Sequence, residues 1–129
     1  MNRIIIVTAN KIGLLADVSE ILALANINIE DIKAEAVSDI GIISMRVNLY
    51  DKALAALQAE GFEAYTEDVI LLKVEDRPGG LAVMAKKFKD KGLDVKSIRI
   101  VRRSQNFVIV AVACDKMEEA KKVVKDLMI

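Results

Sequence analysis

The chain has 129 residues, of which 53% are apolar, 29% charged and 4% aromatic. It is therefore expected to fold around Ile, Val, Leu and Ala rather than stay disordered. Its 19 basic and 19 acidic residues cancel, which argues against bulk binding to nucleic acid or an anionic membrane surface. The apolar runs fall short of a membrane span, and the start lacks a signal-peptide pattern, so a cytoplasmic protein is expected.

In chain order, Ile4–Thr8 is a β-rich apolar run and predicts a first strand. A turn containing Gly13 follows. Leu14, Leu15, Val18, Ile21, Leu22 and Ala25 are then spaced for one face of a helix. The next strand changes phase. Ile27 and Ile29 are odd, whereas Ile32 and Ala34 are even, which predicts a bend or bulge. Ile43, Met45, Val47 and Leu49 alternate as a third strand. A helix over Lys52–Glu60 and a short strand near Phe62–Thr66 complete the set.

The same set then recurs. At a shift of 66, Ile4-Ile5-Ile6 meets Ile70-Leu71-Leu72, Gly13 meets Gly79, Asn28 meets Asp94 and Ile32 meets Ile98. Val69–Val74 is the repeated first strand, and Leu81, Ala85 and Phe88 mark its helix. The odd-to-even slip returns as Leu93 and Val95 against Ile98 and Ile100. After a two-residue loop difference the match is read at a shift of 64, which sets Ile43 against Phe107 and Asp51 against Asp115. The last helix is expected over Lys116–Leu127.

Two units follow, residues 1–66 and 67–129. Each is expected to be α+β, a ferredoxin-like βαββαβ unit with an antiparallel sheet and helices on one face. The second should lack most of its last strand, leaving its first strand with an open edge that invites pairing. The short join predicts packing between the units rather than independent tumbling. The halves differ in charge. Residues 1–66 hold 5 basic and 9 acidic side chains, a net of −4, and residues 67–129 hold 14 and 10, a net of +4. Such halves can attract or order an oligomer, or can simply be two solvated surfaces.

Much chemistry is excluded. There is no histidine, so Ser-His-Asp and Cys-His systems and His-containing metal sites are impossible. Cys114 is alone, so there is no intrachain disulfide or Cys-x-x-Cys metal carrier, and it is expected to be a buried small side chain. No phosphate-binding Gly-rich loop occurs. The pairs Glu30-Asp31 and Glu118-Glu119 are adjacent, so their side chains diverge. No catalytic residue, cofactor or metal is expected.

The richest local signal is the turn between first strand and first helix. It reads Asn10-Lys11-Ile12-Gly13-Leu14 in one copy and Asp76-Arg77-Pro78-Gly79-Gly80-Leu81 in the other. Free N–H groups at a helix start favour anions, glycine lets a ligand approach, and Asn or Asp can receive an ammonium group. A free amino acid carries both charges. The plain alternative is that Asn10 and Asp76 are ordinary helix caps.

At these residues the sequence resembles the ACT domain, a small regulatory ligand-binding module. The resemblance rests on Asp76-Arg77-Pro78-Gly79-Gly80-Leu81-Ala82, on Gly92-Leu93-Asp94-Val95, and on Asn26-Ile27-Asn28-Ile29 with Ser38-Asp39-Ile40-Gly41-Ile42. It covers essentially the whole chain and is greatest for tandem ACT proteins without an attached enzyme. It implies a ligand shared between two ACT units, held by the turn of one and the start of the second strand of the other. Positions like Thr8, Asn10 and Asn28 bind serine in ACT units of phosphoglycerate dehydrogenases. Here Thr8 stands where histidine is usual, Ile12 replaces proline, and copy two has Val74, Asp76 and Asp94. Composite sites could join the Asn10 turn to Asp94, or the Asp76 turn to Asn28.

The resemblance thus implies a non-catalytic regulator binding an amino acid, as a homo-oligomer such as a dimer and with a possible partner enzyme. A ligand-free oligomerisation module is the alternative. Nucleic-acid binding would need aromatics on an open sheet face. Only Phe107, Tyr50 and Tyr65 are candidates, with Lys86, Lys87, Lys89, Lys91, Arg99, Arg102 and Arg103 as basic support.

Overall fold

A computed structural model describes residues 3–66 and 69–129. Two compact units emerge, Met1–Glu67 and Asp68–Ile129. The first contains β1 (Ile4–Ala9), α1 (Leu14–Leu24), β2 (Ile29–Val37), β3 (Ile40–Val47), α2 (Tyr50–Ala59) and β4 (Ala64–Thr66). The second contains β5 (Ile70–Glu75), α3 (Gly80–Asp90), β6 (Val95–Arg103), β7 (Phe107–Cys114) and α4 (Met117–Val123).

The first sheet runs β2-β3-β1-β4, and each neighbouring pair is antiparallel. The second runs β5-β7-β6, the same order without a full fourth strand. This is the ACT-type form of the ferredoxin-like fold, built twice. Helix spacing explains the cores. Leu14, Val18 and Leu22 recur every fourth residue on α1 and pack with Ile4, Ile6, Ile43 and Met45. On α3 the equivalent positions are Gly80, Met84 and Phe88. Phe88, fully buried, fills the place of Leu22 and packs with Leu72, Val110 and Val112.

The expected phase slip is a shared irregularity. Register shifts between Ile29 and Asp31 on β2, and between Val95 and Ser97 on β6. The third strand corrects the repeat. Ile4 pairs with Met45, and Ile70 pairs with Val112, so the copies resume at a shift of 67, not 64. Copy two thus has one residue more in its hairpin. A second irregularity between Ile100 and Arg102, with no counterpart in β2, absorbs it. Phe107 consequently matches Ile40 rather than Ile43. It lies on the sheet face away from the helix core, largely buried under Lys73, whose Nζ sits 4.5 Å from the ring centre.

The end of copy two also differs from expectation. The last helix stops at Val123, and a turn leads the chain back to β5. Met128 forms a bridge with Leu72, Lys73 N–H donates to Leu127 C=O at 2.9 Å, and Ile129 N–H donates to Leu71 C=O at 3.3 Å. Most of a last strand is missing, but the middle of β5 is not bare. Among the described residues no helix is long and apolar enough to cross a membrane.

Candidate functional site

The turn between β1 and α1 is shaped by three backbone features. Asn10 N–H donates to Asp39 C=O at 2.8 Å, which ties the turn to the β2–β3 hairpin. Gly13 takes a left-handed conformation at φ 85°, which glycine alone adopts cheaply. Gly13 is also the residue that starts the helix, and no side chain caps it. The second turn repeats this. Asp76 N–H donates to Asn106 C=O at 3.0 Å, and Gly79 starts α3 at φ 86° without a side-chain cap. The capping role open to Asn10 and Asp76 is therefore not theirs.

Thr8, on β1, pairs with Gly41 on β3. Gly41 leaves room for its neighbours. A methyl group there would lie 2.7 Å from Leu14 Cδ2 and 3.4 Å from Asn10 Oδ1. Thr8, Asn10, Lys11, Gly13 and Leu14 thus gather at one corner of the unit. Leu14 is buried, Lys11 pairs with Asp17 at 3.5 Å, and Ile12 is fully exposed at the tip. Among the described residues, no hydrogen bond engages the Asn10 side chain.

Asn28 is not at this corner. It precedes β2, and its N–H donates to Asn48 Oδ1 at 3.0 Å while its C=O accepts from Asn48 N–H at 3.2 Å. Asn48 follows β3, whereas Asn10 sits beside the opposite end of that strand. The length of β3, about 27 Å at ~3.4 Å per residue, separates them. One amino acid cannot touch both within a unit. Asp94 repeats the arrangement: its N–H donates to Asp115 Oδ1 at 2.9 Å, and Asp115 N–H returns to Asp94 C=O at 3.2 Å. This pair of clamps was hidden in the sequence by the incorrect shift of 64.

The side chains of copy two are engaged. Asp76 accepts from Arg103 Nη1 at 2.6 Å, and Asp94 accepts from Lys96 Nζ at 2.7 Å. That contact, with the nearby negative charges, raises the pKa of Lys96. Arg77 pairs with Glu75. Pro78 and Leu81 are exposed beside Gly79. Gly80 is tightly placed, because a methyl group there would stand 2.3 Å from the Glu75 carbonyl oxygen. A cavity of about 130 Å³ lies against Val74, Arg77, Gly80, Met84 and Leu127. Cys114 is buried, and burial first, then Asp115, pushes its thiol pKa up, which does not suit a nucleophile.

Two ACT-type units with polar turns at matched helix starts are the class that this geometry defines. No family model matches the chain, and no curated protein does. Among solved structures, protein BT0572 from Bacteroides thetaiotaomicron is 27% identical, with a TM-score of 0.50 over 97% of this chain and 86% of its own. The regulatory subunit of aspartate kinase from Thermus thermophilus is 21% identical, with a TM-score of 0.45 over 97% and 90%. The small subunit of acetolactate synthase from Thermotoga maritima is 13% identical, with a TM-score of 0.43 over 98% and 85%.

Proposed function

We propose that the protein is a non-catalytic regulator that binds a free amino acid at the turn between β1 and α1. The observation that carries this reading is the unengaged amide of Asn10 beside an uncapped helix start. The helix N–H groups suit the carboxylate, and the amide oxygen of Asn10 suits the ammonium group. Because Asn28 lies at the far end of the same sheet, it would be supplied by another copy. The site then joins the Asn10 turn of one chain to Asn28 of a second. Asp76 and Asp94 are held by Arg103 and Lys96, so the composites built on either acid are the weaker arrangements.

A thermal-shift panel of the proteinogenic amino acids tests the reading. Binding raises the melting temperature by mass action. At least one amino acid should do so for the natural chain and fail with Asn10→Ala. A flat panel would reject ligand binding.

A second reading, oligomerisation without a ligand, is favoured by one observation. Strands β2 and β6 are sheet edges that leave Ile32, Ile98 and Ile100 exposed. It predicts the flat panel together with a stable oligomer.

A further inference from the structure

The solvent side of the helix layer in unit 1 holds a groove that shares only Lys11 with the ligand turn. Its volume is about 370 Å³. Ile21, Leu24 and Phe62 supply its apolar wall, and Leu24 is 83% exposed. Glu20 and Glu60 stand at its rim, with no ion pair to either among the described residues. The third acid, Asp17, is already paired with Lys11. The groove therefore fits a segment that offers an aliphatic side chain beside cations.

The chain carries such a segment at the matching place in its other repeat. Helix α1 has Asp17 and Glu20 and no basic residue, whereas α3 has Lys86, in an exposed pair with Asp90 at 3.3 Å, Lys87, paired with Asp126 at 3.5 Å, and Lys89, which has no ion pair among the described residues. At the shift of 66, Asp17 corresponds to Val83 and Glu20 to Lys86. Val83 is 54% exposed, and Lys86 and Lys89 follow it at successive steps of three, which places them along one side of the helix. The equivalent helices α1 and α3 thus carry net charges of −2 and +2.

We propose that this groove docks a second copy of the chain through α3 of that copy. Val83 meets the apolar wall, and Lys86 and Lys89 meet Glu20 and Glu60. Sedimentation velocity of the full chain without any amino acid tests this apart from ligand binding. A salt-sensitive association is expected in the natural chain. Glu20→Lys with Glu60→Lys should weaken it at least about tenfold, as should Lys86→Glu with Lys89→Glu, since two exposed ion pairs become repulsions. Mixing the two double variants should restore association between them. Absence of a salt-sensitive association, indifference to both reversals, or failure of the mixture to recover would overturn the proposal. So would capture of an unrelated basic partner by a groove that its own copies ignore. All four residues are exposed, and circular dichroism checks the fold. Should a reversal misfold, glutamine at the same positions gives the weaker loss to be measured.

Discussion

The two strand-to-helix turns share a backbone and differ in what their side chains do. Both hang from a hairpin carbonyl, both start a helix at a left-handed glycine, and both are followed by a residue clamped to the end of the third strand. In copy one the polar side chains, Asn10 and Asn28, are neutral, and among the described residues neither makes a hydrogen bond. In copy two they are acids, and each has a cation from its own unit: Arg103 for Asp76 and Lys96 for Asp94. The residues at the equivalent positions in copy one are Ala36, which pairs with Gly41 as Arg103 pairs with Val108, and Glu30, and neither supplies a cation. The two copies thus share a scaffold, and their side chains differ in whether a cation of the same unit holds them.

The largest expected effect breaks the packing beneath the first turn. Leu14→Ala removes a buried side chain and should cost about 2–5 kcal/mol in denaturant unfolding. In the second turn the glycine itself is the sensitive position. Gly80→Ala drives a methyl group into the Glu75 carbonyl and should cost about 1–3 kcal/mol. A loss at Leu14 with no loss at Gly80 would show that the two turns are not built as described.

Side-chain exchange sharpens the comparison further. Asp76→Asn with Arg103→Ala gives the second turn the neutral, unengaged character of the first. Stability should change by no more than about 1 kcal/mol, because only an exposed ion pair is lost. Calorimetry should then find additional amino-acid binding that the natural chain lacks.

The smallest effect concerns pH. Arg3 hydrogen-bonds and ion-pairs with Asp31, and this holds the Asp31 carboxyl below its ordinary value of 3.8. A lowered folded-state pKa contributes stability above the unfolded value and loses it as pH falls through the folded one. Arg3→Leu should therefore melt slightly lower than the natural chain near neutrality. The electrostatic part of that gap should close in acid below the folded value. A gap unchanged across that range would assign the whole effect to packing.

Much of this was legible from sequence. The repeated Gly13 and Gly79, and the paired phase slips in the second strands, marked the units and their bulges. The third strands misled because they are apolar on both faces. Ile40–Val47 and Phe107–Cys114 are almost continuously buried, so alternation does not fix register. An error of three residues turned Phe107 to the wrong face and concealed Asn48 and Asp115 as equivalents. The ion pairs that distinguish the turns were not legible for another reason. Arg103 meets Asp76 only because a hairpin brings the end of β6 to the turn, and no local pattern announces it.

On the proposed function, Asn10 and Asn28 bind the ligand while Asp76 and Asp94 are satisfied within their own unit. Calorimetric titration of four single alanine variants, with an amino acid that stabilises the natural chain, tests it most directly. Binding should be lost at Asn10→Ala and Asn28→Ala and persist at Asp76→Ala and Asp94→Ala. Binding that survives the first pair and disappears with the second would contradict the account.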